Sequence, residues 1–176
     1  MGEADHTKAM MKKLGDVAFW RIAMRPGRPM AVGRISSAKS GSSAYNTGVS
    51  SYESDSNGQG AVLFGLPGNP VAVMVTFLAF VRPALLRMMG ANPEPTLLLK
   101  ACSGEAIRKK PGRTEYQRGR VSTASDGSLQ VKTTGSQGSG VLRSMAEANG
   151  LIVLHHAQGN VAVGDEVDVM MFEGVI

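Results

Sequence analysis

The chain has 176 residues, a formal net charge of +5, 22 glycines, one cysteine and only 5% aromatic residues. This length suffices for one ordinary domain or two small ones with a real core, whereas a single cysteine excludes an internal disulfide framework and a cysteine-based zinc or iron–sulfur site. No uninterrupted apolar run reaches the ~20 residues of a membrane span and the N-terminus resembles neither a signal nor a transit peptide, so we expect a cytoplasmic protein whose charge favours anionic partners.

The N-terminal part predicts a short helix followed by a hairpin. Thr7–Leu14 is rich in residues that favour helix. Val17–Arg25 alternates between two faces as a strand does, Pro26–Pro29 has the composition of a turn, and Met30–Ile35 predicts the returning strand. The hairpin would therefore carry a basic tip.

Three arginines mark this hairpin as a candidate binding element. Strand alternation places Arg21 and Arg25 on one face, and Arg28 falls in the turn. Guanidinium groups bind oxyanions through planar, often bidentate hydrogen bonds. A solvated strand face is the plain alternative.

The next two segments differ sharply in texture. Ser36–Gly60 is rich in Ser, Gly and Asn and predicts a flexible loop. Ala61–Leu66 predicts a strand, and the turn Gly65–Pro70 leads from it into a helix over Val71–Met89. Such a glycine-rich helix start suits an anion or phosphorylated ligand, although a ligand-free turn fits the pattern equally well.

The helix itself has recognisable signals at both ends. Asn69 is suited to the N-cap, Pro70 to the first helical position and Gly90 to the residue after the C-cap. Pro83 should kink or split the helix. Because it is apolar nearly all round, we expect it to be buried on several sides or to pack against a partner chain.

The C-terminal half predicts an all-β domain. Short alternating segments separated by turn residues are typical of a small barrel or sandwich. The predicted strands are Leu97–Ala101, Gln117–Thr123, Leu129–Thr133, Leu151–Leu154 and Glu166–Phe172. The fold class is thus an α/β domain followed by a small barrel-like β domain, with the boundary between residues 1–92 and 93–176.

This half also carries a basic run and a polar loop. Arg108–Arg113 with Arg118 and Arg120 would suit nucleic acid, but few stacking aromatic residues accompany them. Residues 133–140 supply hydroxyl and amide groups for a small oxyanion. His155 and His156 are too isolated for a metal site.

Five ordered motifs resemble the molybdopterin molybdotransferase family (MoeA and the gephyrin E domain). Each is short, but together they cover nearly the whole chain apart from residues 36–60. They are Gly2–Lys8 (GEADHTK), Phe19–Pro29 (FWRIAMRPGRP), Gly65–Val71 (GLPGNPV), Pro111–Gly119 (PGR and YQRG) and Thr134–Ser139 (TGSQGS).

The resemblance implies an activity and partners. Members of the family insert molybdate into adenylylated molybdopterin and release AMP, with help from Mg²⁺. They are homodimers, so the resemblance implies a homodimer here, with other molybdenum cofactor biosynthesis proteins as further partners and neither membrane nor nucleic acid. The α/β portion would be the C-terminal half of a molybdopterin-binding, three-layer domain.

The resemblance also implies roles for single residues. Asp5 matches the essential acidic residue, which would serve catalysis and hold the metal. Arginines stand where the family often has lysine in the second motif. The implied substrate-binding residues are Arg21, Arg25, Arg28, Pro67, Gly68, Asn69, Pro70, Arg113, Arg118 and Ser139.

The chain is less than half as long as family members. The resemblance begins where those proteins are mid-chain, so we expect a fragment, a split subunit or a mis-called start. A non-catalytic oxyanion-binding or dimerisation module left by truncation is the alternative function.

Overall fold

The computed structural model describes residues 9–11, 13, 15–36, 60–92, 94–138 and 142–172. These fall into two compact units, one formed by residues 1–20 and 30–65 and the other by residues 21–29 and 66–176. Most of the predicted loop 36–60, together with Asp5 and Ser139, lies outside the described residues. The domain boundary at residue 92 stays a prediction.

The first unit contains a three-stranded sheet in the order β1-β3-β4. Its strands are β1 (Gly15–Arg21), β3 (Pro29–Ser36) and β4 (Gly60–Gly65). The short strand β2 (Met24–Arg25), between β1 and β3 in the chain, belongs to the sheet of the second unit. Strands β3 and β4 are antiparallel. A Cβ atom at Gly33 of β3 would lie 2.2 Å from the carbonyl oxygen of Asp16 on β1, so only glycine allows β1 and β3 this close an approach.

The prediction of one strand over Val17–Arg25 is wrong, because pairing is interrupted after Arg21. The amide of Ile22 donates to the Arg28 carbonyl at 2.9 Å, and Met24 donates to Ile22 at 2.8 Å. The chain therefore turns, and Arg21 and Arg25 belong to different strands.

The second unit contains a closed five-stranded barrel, which confirms the predicted fold class. Its strands are β5 (Leu99–Ser103), β6 (Thr114–Thr123), β7 (Leu129–Thr133), β8 (Gly150–Leu154) and β9 (Glu166–Met171). They follow the order β6-β7-β5-β9-β8, and pairing of β8 with β6 closes the ring. All five predicted strands are present, with ends shifted by three residues or fewer.

The barrel is filled by aliphatic side chains, as the alternation within its strands requires. The buried cluster consists of Ala101, Ile107, Val131, Ile152, Leu154, Val161, Val167 and Val169. Gly119 on β6 faces this cluster, where a Cβ would lie 2.8 Å from Ile152 Cγ1 and 2.9 Å from Val131 Cγ2. A side chain larger than hydrogen has no room there.

The predicted helix forms, and its sequence signals are confirmed. It comprises α1 (Pro70–Thr76), a π-helical turn (Phe77–Val81) and α2 (Arg82–Met88). The Asn69 side chain caps α1 by accepting from the Ala72 amide at 3.2 Å, and Gly90 has φ +83° beyond the C-terminus. Pro83 lies in the first turn of α2, so the wide turn before it accommodates the missing amide.

One face of this helix packs on the barrel and another is exposed. Val71 and Val75 share a buried cluster with Leu151, Val153 and Met170 of strands β8 and β9. By length and composition alone residues 70–88 could also cross a membrane, but the start of this helix packs on the barrel through Val71 and Val75. The exposed apolar side chains are Met74, Phe77, Phe80, Leu85 and Met88.

A charged cluster lies on the barrel surface across strands β5 and β9. Asp168 accepts from His155 Nε2 at 2.5 Å and from Lys100 Nζ at 2.9 Å. These two bonds, that of His155 first, lower the pKa of Asp168. His155 is exposed, so this cluster faces solvent.

Substitution at Gly119 should destabilise the barrel. We expect Gly119→Ala to lower the free energy of unfolding by about 1–3 kcal/mol, because the methyl group overpacks the barrel interior. The matched control is Gly159→Ala, since nothing lies within 4 Å of a Cβ at that position. Urea unfolding followed by circular dichroism measures both; equal midpoints would contradict the packing argument.

Candidate functional site

A cavity of about 730 Å³ lies in the second unit. Three parts of the chain line it: the turn at residues 24–29, the start of α1, and barrel residues on and around β6. Pairing of β2 with β6 joins the first and third parts, with Arg25 in register with Glu115. The cavity is therefore fixed by backbone hydrogen bonds, as a binding site on a scaffold requires.

The lining is strongly basic. It contains two carboxylates, Glu105 and Glu115, and five guanidinium groups, those of Arg25, Arg28, Arg108, Arg113 and Arg118. Burial, and to a smaller extent the positive charge of Arg25, lower the pKa of Arg118. Because arginine does not lose its proton in proteins, the shift means that burial and the neighbouring positive charge disfavour the charged form.

Arg118 is fully buried and extensively hydrogen-bonded. Its Nε donates to Ser144 Oγ at 3.0 Å. Its terminal nitrogens donate to the carbonyls of Ser136, Gln137 and Gly138 at 2.9, 3.3 and 3.0 Å. Four of its five N–H groups thus have partners among the described residues, which leaves at most one for a ligand.

Arg113 is arranged differently from Arg118. Its Nε donates to Glu115 Oε1 at 3.2 Å, while Gln117 Nε2 donates to Glu115 Oε2 at 3.3 Å. Glu115 and Gln117 stand two residues apart on one face of β6, and Arg113 lies just before the strand. The bond through Nε orients the guanidinium and keeps its terminal nitrogens available for an oxyanion.

The turn at residues 25–29 rests closely on α1. Gly27 has φ +96°, and a Cβ there would lie 2.5 Å from Thr76 Oγ1. Thr76 Oγ1 is buried and has no hydrogen-bond partner among the described residues. The turn can approach the helix this closely only because residue 27 is glycine.

The structure brings together most of the predicted site residues. Arg21 and Pro70 do not line the cavity, while Asp5 and Ser139 lie outside the described residues. Asn69 lines it, but its side-chain oxygen is engaged as the N-cap of α1. The predicted residues that line the cavity are Arg25, Arg28, Pro67, Gly68, Asn69, Arg113 and Arg118.

Sequence reasoning missed several lining residues. Arg108 was considered only as part of a nucleic-acid patch, whereas it faces the cavity. Glu115 could have been found because Arg113, Glu115 and Gln117 stand at every second position of the sequence. Tyr116, whose pKa burial raises, and Gln137 lie within the YQRG and TGSQGS motifs, but the sequence assigned neither of them a role.

Carboxylates are the side chains that would hold Mg²⁺. No three His, Cys, Asp or Glu side chains among the described residues come together. Glu105 Oε1 accepts from the amide and hydroxyl of Thr133, both at 2.6 Å, and both oxygens of Glu115 are bonded as described above.

Two protein-family models match different parts of the chain. Residues 1–87 match the family model of a probable molybdopterin binding domain. Residues 100–172 match that of the MoeA C-terminal region, domain IV.

Similar proteins are longer than this chain. It is 32% identical to the molybdopterin molybdenumtransferase of Haemophilus influenzae, with all of the chain and 38% of that protein covered. Gephyrin of Dictyostelium discoideum is 31% identical over 97% of the chain and 24% of its own length. The chain thus spans less than two fifths of either relative.

Solved structures share the fold. The MoeA protein of Pyrococcus horikoshii superimposes with a TM-score of 0.67 at 24% identity, covering 97% of this chain and 36% of the other. A molybdenum cofactor biosynthesis protein of Pyrococcus furiosus gives 0.61 at 23% identity, covering 97% and 55%.

The two cavity-lining glycines should respond differently to substitution. Gly27→Ala combines a strained positive φ with a clash against Thr76, so we expect the free energy of unfolding to fall by about 1–3 kcal/mol. Gly68→Ala has nothing within 4 Å of the new Cβ and should change it by less than about 0.5 kcal/mol. Thermal unfolding compares the pair; a loss of the same size in both would contradict the close packing of the turn.

Proposed function

We infer, since the chain belongs to the molybdopterin molybdenumtransferase (MoeA) family, that it acts in molybdenum cofactor biosynthesis. We propose that its cavity holds molybdate for insertion into adenylylated molybdopterin, with release of AMP. The observation that supports this proposal is the convergence of five arginines on one cavity. Because the chain spans only part of its relatives, we expect it to turn over substrate only when combined with the segments that those relatives carry in addition.

The chemistry of the lining suits a small tetrahedral dianion. Guanidinium groups stay charged and donate two parallel hydrogen bonds to oxyanions. Arg113 is held through Nε, so its terminal nitrogens would bind molybdate oxygens, and Arg25 and Arg28 would add charge from the opposite turn. These residues would bind and orient the anion.

The remaining assignments belong to the same proposal. We propose Asp5 as the catalytic acidic residue and as the residue that holds Mg²⁺, Ser139 as a further molybdate contact, and a cytoplasmic homodimer as the working form. The resemblance of the GEAD and TGSQGS motifs supports these roles.

Molybdate binding tests the cavity directly. We expect Arg113→Ala to weaken molybdate binding about 10- to 100-fold in calorimetric titration, because each charge-assisted hydrogen bond contributes about 1.5–3 kcal/mol. Arg120→Ala is the matched control, since it removes the same charge from β6, seven residues along the chain, and Arg120 does not line the cavity. An equal loss in both variants would mean that only net charge attracts the anion.

Turnover tests the transferase reaction. The chain, alone and joined to the N-terminal segments of the Haemophilus influenzae relative, is supplied with adenylylated molybdopterin and molybdate, and AMP is measured. We expect AMP from the joined protein only, and Asp5→Asn should lower its rate by about 100-fold or more. The exposed Asp16, changed to Asn, is the control; unchanged turnover of Asp5→Asn would refute the catalytic role.

A non-catalytic module is the second candidate function. The exposed apolar face of the helix, including Phe77 and Phe80, favours association with another protein surface. Molybdate binding and a dimer in sedimentation, with no AMP release from the joined protein, would support this candidate over the transferase.

A further inference from the structure

The side chain of Gln137 pairs with the backbone of Arg118. Its Oε1 accepts from the Arg118 amide at 2.8 Å, and its Nε2 donates to the Arg118 carbonyl at 3.1 Å. Nε2 also donates to the Thr134 carbonyl at 3.0 Å. All the hydrogen-bonding groups of this side chain except one lone pair of Oε1 are therefore engaged with the main chain.

The polarity of these partners fixes the orientation of the amide. A backbone N–H can only donate and a carbonyl can only accept, so a flipped amide would oppose like groups at each contact. Gln137 thus imitates a rung of the β-ladder at the point where β7 ends. The last backbone pair there joins Gly119 to Thr133.

The pairing is reciprocal. The main chain of Arg118 holds the Gln137 side chain, while the Arg118 guanidinium donates to the carbonyls of residues 136, 137 and 138. Residues 134–138 are thereby fastened to β6 from both sides. Both Arg118 and Gln137 line the cavity, so the arrangement determines the shape of its wall.

We propose that Gln137 is a positioning residue of the anion site, which acts by holding Arg118 and the segment 134–138 in place. This inference rests on the proposed function of the cavity. Without the amide, the Arg118 N–H loses its partner and the Thr134 carbonyl loses a donor. Residues 134–138 then keep only the bonds of Thr134 to Arg118 and Ser144 and those of the guanidinium itself, so the carbonyls that orient Arg118 are held less firmly.

The test is a double-mutant cycle on molybdate binding by the whole chain. Gln137→Met keeps the length of the side chain and its neutrality but removes the amide. We expect binding at least tenfold weaker than in the unaltered chain. In an Arg118→Met background the same change should weaken binding by less than twofold, because Gln137 acts through Arg118.

Controls separate positioning from folding. Gln130→Met makes the same change on β7 outside the cavity lining and should leave affinity unchanged. Circular dichroism confirms that each variant is folded at the temperature of titration. If Gln137→Met does not fold, Gln137→Asn replaces it, since it keeps the amide one methylene short of its partners and should bind between the two extremes.

The outcomes distinguish the two proposals. No molybdate binding by the unaltered chain overturns the proposed function, and this inference with it. Binding by the unaltered chain that Gln137→Met retains at full strength overturns this inference alone. Losses that simply multiply in the double variant would assign Gln137 to direct anion contact, which also overturns the positioning role.

Discussion

The pairing of a two-residue strand with the long barrel strand β6 is the constraint on which the cavity depends. Met24 and Arg25 align with Thr114 and Glu115, and the Thr114 amide donates to the Ala23 carbonyl at 2.9 Å. Few hydrogen bonds are involved, but Met24 is 2% exposed and anchors the pair in the cluster beneath the helix. The turn that follows has no freedom to leave the cavity, since burial and hydrogen bonds fix both of its ends.

Repulsion between the arginines explains why the cavity lining carries so many hydrogen bonds to their side chains. Several guanidinium groups in one place repel each other, and removing Arg118 from water carries a further cost. The protein offsets this cost with carbonyl oxygens around Arg118 and with the carboxylate of Glu115 beside Arg113. The compensation is only partial, because the lining keeps more cations than carboxylates. A bound anion would therefore neutralise part of the excess positive charge of the lining.

Local signals accounted for the parts of the fold that local physics controls. Turn residues and alternation predicted every barrel strand, and Asn69 and Gly90 predicted the ends of the helix. The break after Arg21 could not be predicted, because it depends on a hydrogen bond to Arg28 and on a strand partner about ninety residues along the chain. The resemblance gave Arg113 and Arg118 the same role. Only the structure shows that Arg113 is held through Nε, whereas nearly all the N–H groups of Arg118 are engaged.

Strand β6 pairs with three other strands, and this limits the local unfolding of the second unit. Its first residues pair with β2, residues 115–119 with β8 and residues 119–123 with β7. The strand cannot detach from one neighbour without disturbing the barrel closure, so its amides should exchange with solvent only through the largest opening events of this unit. A ligand held in the cavity would then slow hydrogen exchange throughout the barrel, far beyond the atoms that it touches.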